Sequence, residues 1–270
     1  MSPPPPNAIE PFEVFAVKYA HHERRASANF LGGDPHDGPM PLDFYIWVAR
    51  RADGLFVIDL GFNAATAKTR QRELIRNPAE GLGLIGIDPA AVADVVLTHL
   101  HYDHVGNFDL FPTARFHIQD KEMAYATGRH MAQAPFGLAY GIEDVVGLVR
   151  EVYKGRVVFH DGDEELAPGL SVHHIGGHTL GLQIVRVWTR RGWVVLASDA
   201  AHLYANLEET RPFPIVYHVG EMVEGYRRIR SLADSPHHII PGHDPLVMRR
   251  YPAPEPRLEG IIARLDVPPR

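Results

Sequence analysis

The sequence predicts an α/β protein built as a four-layer αββα sandwich, in which two mostly antiparallel, mixed sheets lie between helices. A chain of 270 residues is long enough to bury a large core without covalent cross-links. Strand-like apolar runs follow one another before the first helix and again after the middle of the chain, which does not fit strict βαβ alternation. We therefore treat residues 1–270 as a single domain and expect residues 1–11 and 266–270 to be frayed.

The strand candidates are short runs of apolar and β-branched residues bounded by polar or Gly- and Pro-rich segments. They are residues 12–19, 44–49, 55–59, 95–98, 115–118, 156–160, 170–174, 182–188, 193–197 and 238–240. The helix candidates repeat apolar residues at helical spacing, and the second has acidic residues in its first turn. They are residues 65–76, 119–127, 220–232 and 257–265.

Composition limits the function classes. The 27 basic and 33 acidic side chains give a formal charge of −6, which argues against nucleic-acid or anionic-membrane partners. The chain begins Met1, Ser2 and four prolines, without the features of a secretory signal, so a cytoplasmic location is expected. The chain has no cysteine, so any metal ion must be held by His, Asp or Glu.

The most informative segment is residues 94–107, which reads DVVLTHLHYDHVGN. Residues two apart in an extended backbone face the same side, so His99 and His101 can converge on one ion. Asp103 and His104 come after the strand and point to a neighbouring position. The spacing therefore predicts two metal positions, and the nitrogen and oxygen donors favour zinc, with Mn, Fe or Co as alternatives.

A chance origin of this segment is the alternative to weigh. At the histidine content of this chain, 17 in 270, such a string arises by chance only on the order of a few times per thousand sequences. Three imidazoles and a carboxylate would also make a poor apolar core, because each buried polar group without a partner costs a few kcal/mol. Metal binding is the better explanation.

Four further motifs accompany this segment in a fixed order. They are VIDLG with Asp59, GGHTLG with His178, LASDA with Asp199 and IIPGHD with His243. With H-x-H-x-D-H between the first and second of them, the series resembles that of the metallo-β-lactamase fold hydrolases. The resemblance covers about residues 55–245 and implies the metallo-β-lactamase fold.

Carried over to the matching positions, the resemblance implies two divalent ions bridged by Asp199. The ligands of one ion would be His99, His101 and His178. The ligands of the other ion would be Asp103, His104 and His243. Asp59 would orient a ligand without binding metal, although a plain turn residue at a strand end is the alternative.

The remaining histidines lack matching positions, apart from His202, and are expected to be solvent-facing or hydrogen-bonded structural residues. They are His21, His22, His36, His117, His130, His160, His173, His174, His218, His237 and His238.

Within the superfamily, the layout of this chain is most similar to the N-acyl homoserine lactone lactonase group. Glyoxalase-II-like thioesterases place the motif early and add a helical domain after it, and the tRNA-processing nucleases carry a basic arm. The resemblance thus implies opening of an N-acyl homoserine lactone or a similar small lactone. A thioesterase or another ester, amide or phosphodiester hydrolase is the alternative, and a metal-binding protein without catalysis is a third.

The mechanism implied by the resemblance is attack of a hydroxide bound between the two metal ions on the lactone carbonyl, with Asp103 and Asp199 in the catalytic centre. Asp199 would pass a proton to the leaving alkoxide. The group's substrate-contacting Tyr is replaced here by His202, with Tyr204 two residues further on, so either is a candidate contact.

Apolar side chains for a substrate wall are expected from three loops, residues 30–31, 131–140 and 212–214. The same residues could instead belong to the core or to a dimer contact. Residues 139–149 are a candidate interface helix of a homodimer.

Overall fold

Two mixed sheets lie at the centre of the molecule in the computed structural model, which describes residues 9–270. Residues 1–8, part of the N-terminal segment expected to be frayed, lie outside the described residues. In chain order the strands are β1 (Glu13–His22), β2 (Leu42–Arg51), β3 (Gly54–Ile58), β4 (Glu73–Leu74), β5 (Asp94–Val96), β6 (Arg115–Gln119), β7 (Val157–His160), β8 (Glu164–Ala167), β9 (Leu170–His174), β10 (Gln183–Thr189), β11 (Gly192–Ser198), β12 (Ile239–Pro241) and β13 (Ile262–Arg264).

The helices lie mainly between the strands of the first sheet and after β11. They are α1 (Ala64–Arg70), α2 (Pro78–Gly83), α3 (Tyr102–Val105), α4 (Asp120–Ala126), α5 (Ala134–Gly137), α6 (Ile142–Tyr153), α7 (Tyr204–Glu208), α8 (Val219–Leu232) and α9 (Leu246–Arg250). None of the helices within residues 9–270 is both long and apolar enough to cross a membrane.

The first sheet has the order β13-β1-β2-β3-β5-β6-β7, with the short β4 also paired to β1. The second has the order β12-β11-β10-β9-β8. The neighbouring strands β3, β5, β6 and β7 run parallel to one another, as do β11 and β12. The other pairs are antiparallel. The prediction of two mostly antiparallel, mixed sheets is confirmed.

Alternation along the strands creates the four layers. In β2, Tyr45, Trp47 and Ala49 enter the core between the two sheets, whereas Phe44, Ile46 and Val48 pack on the opposite side with helical residues. In β11, Val194 and Leu196 face the first sheet, and Val195 and Ala197 pack against α8. Both faces of these strands are buried, so they are apolar at nearly every position.

Two of the predicted helices are wrong in part or in whole. The helix expected over 65–76 ends at Arg70, because Gln71 adopts a left-handed conformation with φ 54°. The chain then pairs with β1 as β4. The segment 257–265 is not a helix: after a short turn at Pro256–Leu258 it forms β13, which pairs with β1 across more than 240 residues of sequence. The spacing of its apolar residues is compatible with a helix or a strand, and the long-range pairing with β1 favours the strand.

The C-terminal residues 266–270 are held more firmly than expected. The side chain of Asp266 is fully buried and accepts hydrogen bonds from Arg264. The guanidinium of Arg270 donates to both carboxylate oxygens of Glu259, at 2.6 and 2.8 Å. These contacts tie the end of the chain to the first sheet.

Candidate metal centre

The seven predicted ligands meet at one end of the sandwich, where strands of both sheets terminate. His99 and His101 follow β5, Asp103 and His104 lie in α3, and His178 lies in the loop between β9 and β10. Asp199 follows β11 and His243 follows the parallel neighbour β12. All seven side chains are buried. Carboxyl ends of parallel strands meet at one edge of a sheet, which brings residues so far apart in sequence together.

One set of donors, which we call the first ligand group, consists of His99, His101, His178 and one oxygen of Asp199. The Nε2 atom of His178 lies 2.9 Å from Nδ1 of His101 and 3.2 Å from Nε2 of His99. The Oδ2 atom of Asp199 lies 3.4 Å from the same His178 nitrogen. The group is therefore rich in imidazole, with a single carboxylate oxygen.

The second ligand group consists of Asp103, His104, His243 and the other oxygen of Asp199. The Oδ2 atom of Asp103 lies 3.7 Å from Nε2 of both His104 and His243. The Oδ1 atom of Asp199 lies 3.4 Å from His104 Nε2 and 2.9 Å from His243 Nε2. Asp199 therefore presents one oxygen to each group, which is the arrangement expected of a bridging carboxylate.

The backbone before Asp199 is unusual. Ser198 has φ 44°, a left-handed conformation that costs free energy for a residue with a side chain. It ends β11 and turns the following carboxylate between the two groups. Asp59, which directly follows β3, has φ 62° and is the comparable feature on the first sheet.

Each imidazole that has a partner for its second nitrogen is oriented by that contact. Nδ1 of His104 donates to Asp59 Oδ2 at 2.7 Å, Nδ1 of His178 to the Ile215 carbonyl at 2.6 Å, and Nδ1 of His243 to the Asp43 carbonyl at 3.0 Å. In the neutral ring, such contacts leave Nε2 without a proton and aim it at the ion position. Asp59 thus contacts a ligand, as the resemblance implies.

Asp59 is itself fixed by hydrogen bonds. Its two oxygens accept from the backbone N–H and the hydroxyl of Thr98, both at 2.8 Å. The Thr98 hydroxyl also lies 2.8 Å from the Ser198 hydroxyl, which joins the two sheets beneath the site. The carboxylate is fully buried, and it therefore serves as a rigid acceptor for His104.

The two groups differ in protonation. Burial lowers the pKa of His99 and His101, and that of His178 to about 4. Burial acts the same way on His104 and His243, but neighbouring carboxylates outweigh it and raise their pKa, chiefly Asp59 for His104 and Asp199 for His243. The first group therefore favours neutral imidazoles and the second favours protonated ones when only protein atoms are considered.

The donor set fits metal ions. His104 Nε2 is buried and has no hydrogen-bond partner within residues 9–270, and Asp199 Oδ1 faces only the imidazoles of the second group. In the first group, ring nitrogens of His99 and His101 face Nε2 of His178. This Nε2 atom is an acceptor, because the proton of the neutral ring lies on Nδ1, which donates to the Ile215 carbonyl. Unpaired buried acceptors are costly, and a divalent cation at each position would satisfy them. These buried His and Asp clusters are consistent with a dinuclear site.

One functional residue escaped the sequence analysis. Glu122, the third residue of α4, is fully buried and accepts four hydrogen bonds, from Leu100 N, Tyr140 Oη, Thr179 Oγ1 and Gly181 N. It thereby connects the loop that carries His99 and His101 to the loop that carries His178. The acidic first turn of the helix candidate was visible in the sequence, but nothing local indicated burial.

Glycine is required in the loop that carries His178. Gly177 has φ 82°, and a Cβ atom there would lie 2.5 Å from the backbone nitrogen of Met222. A side chain at Gly181 would collide with the backbone of Glu122. The loop therefore packs closely between α8 and α4, which explains the glycines of the GGHTLG motif.

A cavity of about 150 Å³ opens above the two groups. Its wall includes side chains of both ligand groups, apolar residues and three arginines. The residues lining it are His22, Arg24, Leu42, Phe44, Arg70, Arg72, His101, Tyr102, Asp103, Pro135, Leu138, Ala139, His178, Asp199, His202, Ile215 and His243.

The two predicted substrate contacts, His202 and Tyr204, lie in different places. His202 lines the cavity; its Nε2 lies 2.9 Å from Asp199 Oδ2 and its ring stacks on Phe213 at 3.5 Å between centroids. Tyr204, by contrast, lies in the core between the sheets and lines a different cavity, under the guanidinium of Arg250. It begins α7, and its backbone N–H donates to Asp244. The prediction of Tyr204 as a catalytic residue is therefore corrected.

The three predicted wall loops behave differently. Residues 131–140 supply Pro135, Leu138 and Ala139 to the cavity. In the loop 212–214, Phe213 supports His202 from behind. In the loop 30–31, Phe30 packs under the guanidinium of Arg211. Leu42 and Phe44 of β2 contribute apolar surface that the sequence did not predict.

Among the remaining histidines, several are hydrogen-bonded structural residues, as expected. His117 and His160 stack and link Asp94 to Glu164, and His218 caps α8 by accepting from Glu221 N. His22 is different, because it lines the cavity beside the arginines.

Comparison with known proteins assigns the family. A family model described as the metallo-beta-lactamase superfamily matches residues 43–251. This chain belongs to the metallo-beta-lactamase superfamily. The match spans every predicted ligand position from His99 to His243, and the buried His and Asp clusters are consistent with a dinuclear metal site of this fold.

Two relatives are N-acyl homoserine lactonases. AttM of Rhizobium johnstonii is 28% identical over 242 residues, which cover 83% of this chain and 89% of AttM. AiiB of Agrobacterium fabrum is 32% identical over 134 residues, and the chain spans only about half (48%) of the length of that relative. The similarity to AttM therefore extends over most of both chains.

A solved structure has the same fold. It is an N-acyl homoserine lactone hydrolase with the product N-hexanoyl-L-homoserine bound at its catalytic metal center. The two structures agree with a TM-score of 0.72 and 19% sequence identity, covering 87% of this chain and 94% of the other. At this identity the likeness establishes the architecture.

Proposed function

We propose that this metal-dependent hydrolase opens the ring of a small lactone. The observation that carries the proposal is the position of Asp199, whose two oxygens face two separate histidine-containing groups at the base of a narrow cavity. A centre of this kind suits hydrolysis without a protein nucleophile, because two ions can act on the attacking and the leaving oxygen. The similarity to AttM over most of the chain supports a lactone as the substrate.

The ligand assignment follows the two groups. His99, His101 and His178 would hold one ion, Asp103, His104 and His243 the other, and Asp199 would contact both. When bound, the ions supply Lewis-acid polarisation of the carbonyl and make a water molecule acidic near neutral pH. Nitrogen and oxygen donors without thiolate suit zinc, which we propose as the metal.

The chain's own residues then manage the proton. Ring opening adds water across the C–O bond of the lactone: the carbonyl carbon gains the oxygen, and the ring oxygen leaves and takes up a proton. Asp199 is ionised, since His243 and His104 hold its pKa well below the ordinary value despite burial. Its position between the two groups suits it to relay a proton from water to the leaving oxygen, and its low pKa favours the second of these two transfers.

His202 acts on Asp199. Burial lowers the pKa of His202 to about 4, so its ring is neutral near pH 7. Its Nε2 is occupied by Asp199 and one face of its ring is covered by Phe213. We therefore assign it the task of holding the carboxylate in position, in preference to direct contact with the substrate.

A substrate panel tests the proposal. The purified protein, with its metal content measured by elemental analysis, is offered acyl homoserine lactones and γ-butyrolactone, with ring opening followed by acidification. Thiol release from an acyl-glutathione and nitrophenol release from a phosphodiester are measured in parallel. We expect the lactones to be hydrolysed with the highest kcat/KM.

The other outcomes are equally informative. Preference for the thioester or the phosphodiester would replace lactone opening by the alternative hydrolase activities. A protein that holds two ions per chain and hydrolyses none of the three classes would favour a metal-binding role without catalysis.

A further inference from the structure

Three cationic or titratable side chains meet at one wall of the cavity. Arg24 follows β1, and Arg72 directly precedes β4. The two strands pair with Ala20 opposite Leu74 and His21 opposite Glu73. Continued by one residue, this register places His22 opposite Arg72. All three side chains line the cavity that contains His101, Asp199 and His243.

The two guanidinium groups have few partners in the protein. Arg24 donates through Nη2 to the Ala28 carbonyl. Arg72 donates through Nε to the Tyr102 hydroxyl and through Nη1 to the Arg70 carbonyl. Within residues 9–270 neither forms an ion pair with a carboxylate. One Nη atom of each thus lacks an acceptor among the described residues.

Arg70 also lines the cavity, but its role is structural. Its guanidinium donates to the carbonyls of Leu138 and Tyr140 and lies 4.5 Å above the ring of Tyr102. It holds the segment that closes one side of the cavity. Both Nη atoms of Arg70 are thus occupied, whereas Arg24 and Arg72 each use only one for a hydrogen bond among the described residues, so these two form the pair of interest.

The like charges stand close enough to affect one another. Burial, followed by Arg72 and Arg24, lowers the pKa of His22 to about 4. Burial and the neighbouring Arg72 also lower the pKa of Arg24. The nearby Glu23 does not neutralise them, because its carboxylate is 80% exposed and contacts His21. Partly buried cations of the same sign are unfavourable unless an anion joins them.

The carboxylates of the cavity do not serve as that anion. Asp103 and Asp199 are the acidic residues in its wall, and both are assigned to the two ligand groups. A guanidinium with free N–H groups matches a carboxylate or phosphate in shape and charge. A neutral acyl chain would gain nothing from two arginines.

We propose that Arg24 and Arg72 bind an anionic oxygen group of the substrate, a carboxylate or a phosphate, at a distance from the bond that is hydrolysed. The proposal rests on the proposed function and narrows it: the preferred substrate is a small lactone that carries a negative charge. His22, which lines the cavity beside the arginines, offers a further hydrogen bond to the same group.

A matched pair of substrates tests the proposal with the metal-loaded enzyme. One is the γ-lactone of α-hydroxyglutarate, which carries a free carboxylate, and the other is the neutral amide of the same lactone. We expect kcat/KM to be at least about tenfold higher for the charged lactone, which is the size of one hydrogen bond to a charged group. Equal values for the two lactones would overturn the proposal.

Variants locate the effect. Arg24→Gln and Arg72→Gln should each reduce kcat/KM for the charged lactone by about 10- to 100-fold, mainly through KM, and leave the neutral amide almost unchanged. Arg72→Lys should retain part of the preference, because the charge remains while the planar fork is lost. Arg227→Gln, an exposed arginine of α8 paired with Glu224, is the matched control. Equal losses for both lactones, with metal content unchanged, would show a structural role and refute the subsite.

Calorimetry separates the subsite from the reaction. Ring-opened α-hydroxyglutarate and inorganic phosphate are titrated separately into the metal-loaded wild type and the arginine variants. Binding that is lost in both Gln variants supports the anionic subsite even if neither lactone is hydrolysed, in which case the proposed function alone fails. The ligand that binds more tightly identifies the kind of anion. Binding of neither ligand to the wild type would count against the subsite.

Discussion

The two ligand groups share Asp199 but are built differently. The first has three imidazoles, of which His178 is oriented by the neutral Ile215 carbonyl, and its loops are held together by Glu122. The second adds Asp103 and has a carboxylate, Asp59, behind His104. The comparison shows two ways to prepare a cation site. In the first group, burial keeps the imidazoles neutral. In the second group, carboxylates surround the imidazoles and favour their protonated form, so a metal ion must displace protons when it binds.

Removal of Asp199, which both groups share, should impair the two groups together. Asp199→Ala takes one oxygen from each group, and we expect turnover to fall by about 10³-fold or more, because two-metal catalysis lowers the barrier by several kcal/mol. Both ions should be depleted while the circular dichroism spectrum stays native.

His101→Ala should also inactivate the enzyme and deplete metal, but with the loss centred on the first group. Full activity and metal content in either variant would contradict the site assignment.

A change behind the second group should affect that group alone. Asp59→Asn removes the charged acceptor of His104 Nδ1, and we expect the affinity for one of the two ions to fall about 10- to 100-fold. Titration with a chromophoric chelator resolves the two dissociation constants. The control is Asp94→Asn, which alters the Asp94 to His117 contact outside the site and should leave both constants unchanged. Equal weakening of both ions would show that the groups are not independent.

The corresponding change behind the first group is Glu122→Gln. An amide nitrogen in place of one oxygen would face an N–H donor, so at least one buried hydrogen bond is lost at a cost of about 1–3 kcal/mol. We expect a lower melting temperature and about tenfold weaker binding of the ion in the first ligand group. Glu151→Gln, a buried carboxylate of α6 paired with Lys154 and Arg156, should lower stability without changing metal affinity. If it weakens metal binding equally, Glu122 has no specific role.

The smallest effect concerns protonation of the metal-stripped protein. His178, with a pKa of about 4, should be neutral at pH 7, whereas His104, with a raised pKa, should remain protonated. As pH falls from about 6.5 to about 4, the lowered pKa of His178 favours the unfolded state, which binds the proton first. The raised pKa of His104 acts in the opposite sense: its stabilising contribution is complete below the unfolded pKa and disappears as pH rises through the folded one.

Nitrogen chemical shifts of the imidazoles, measured by NMR across this range, test the difference directly. Metal binding to the second group should also release more protons, so its affinity should decrease more steeply on acidification. Identical titration of the two groups would contradict the comparison.

Local spacing was sufficient for much of the site. The alternation of β5 and the start of α3 already separated His99 and His101 from Asp103 and His104, and the structure keeps them in different groups. Tyr204 was wrongly included because its distance from Asp199 along the chain says nothing about the helix that turns its side chain into the core. Glu122 was missed because its four partners come from four separate segments.

The sequence alone determined the sandwich of two mixed sheets and the separation of His99 and His101 from Asp103 and His104, since apolar alternation and short ligand spacings are properties of neighbouring residues. The resemblance to the family added His178, Asp199 and His243. Only the tertiary structure decided that residues 262–264 form a strand, that Glu122 lies beneath the first ligand group and that Arg24 and Arg72 face one cavity. These outcomes depend on pairing between segments far apart in the chain, and the free energy of such contacts exceeds local propensity.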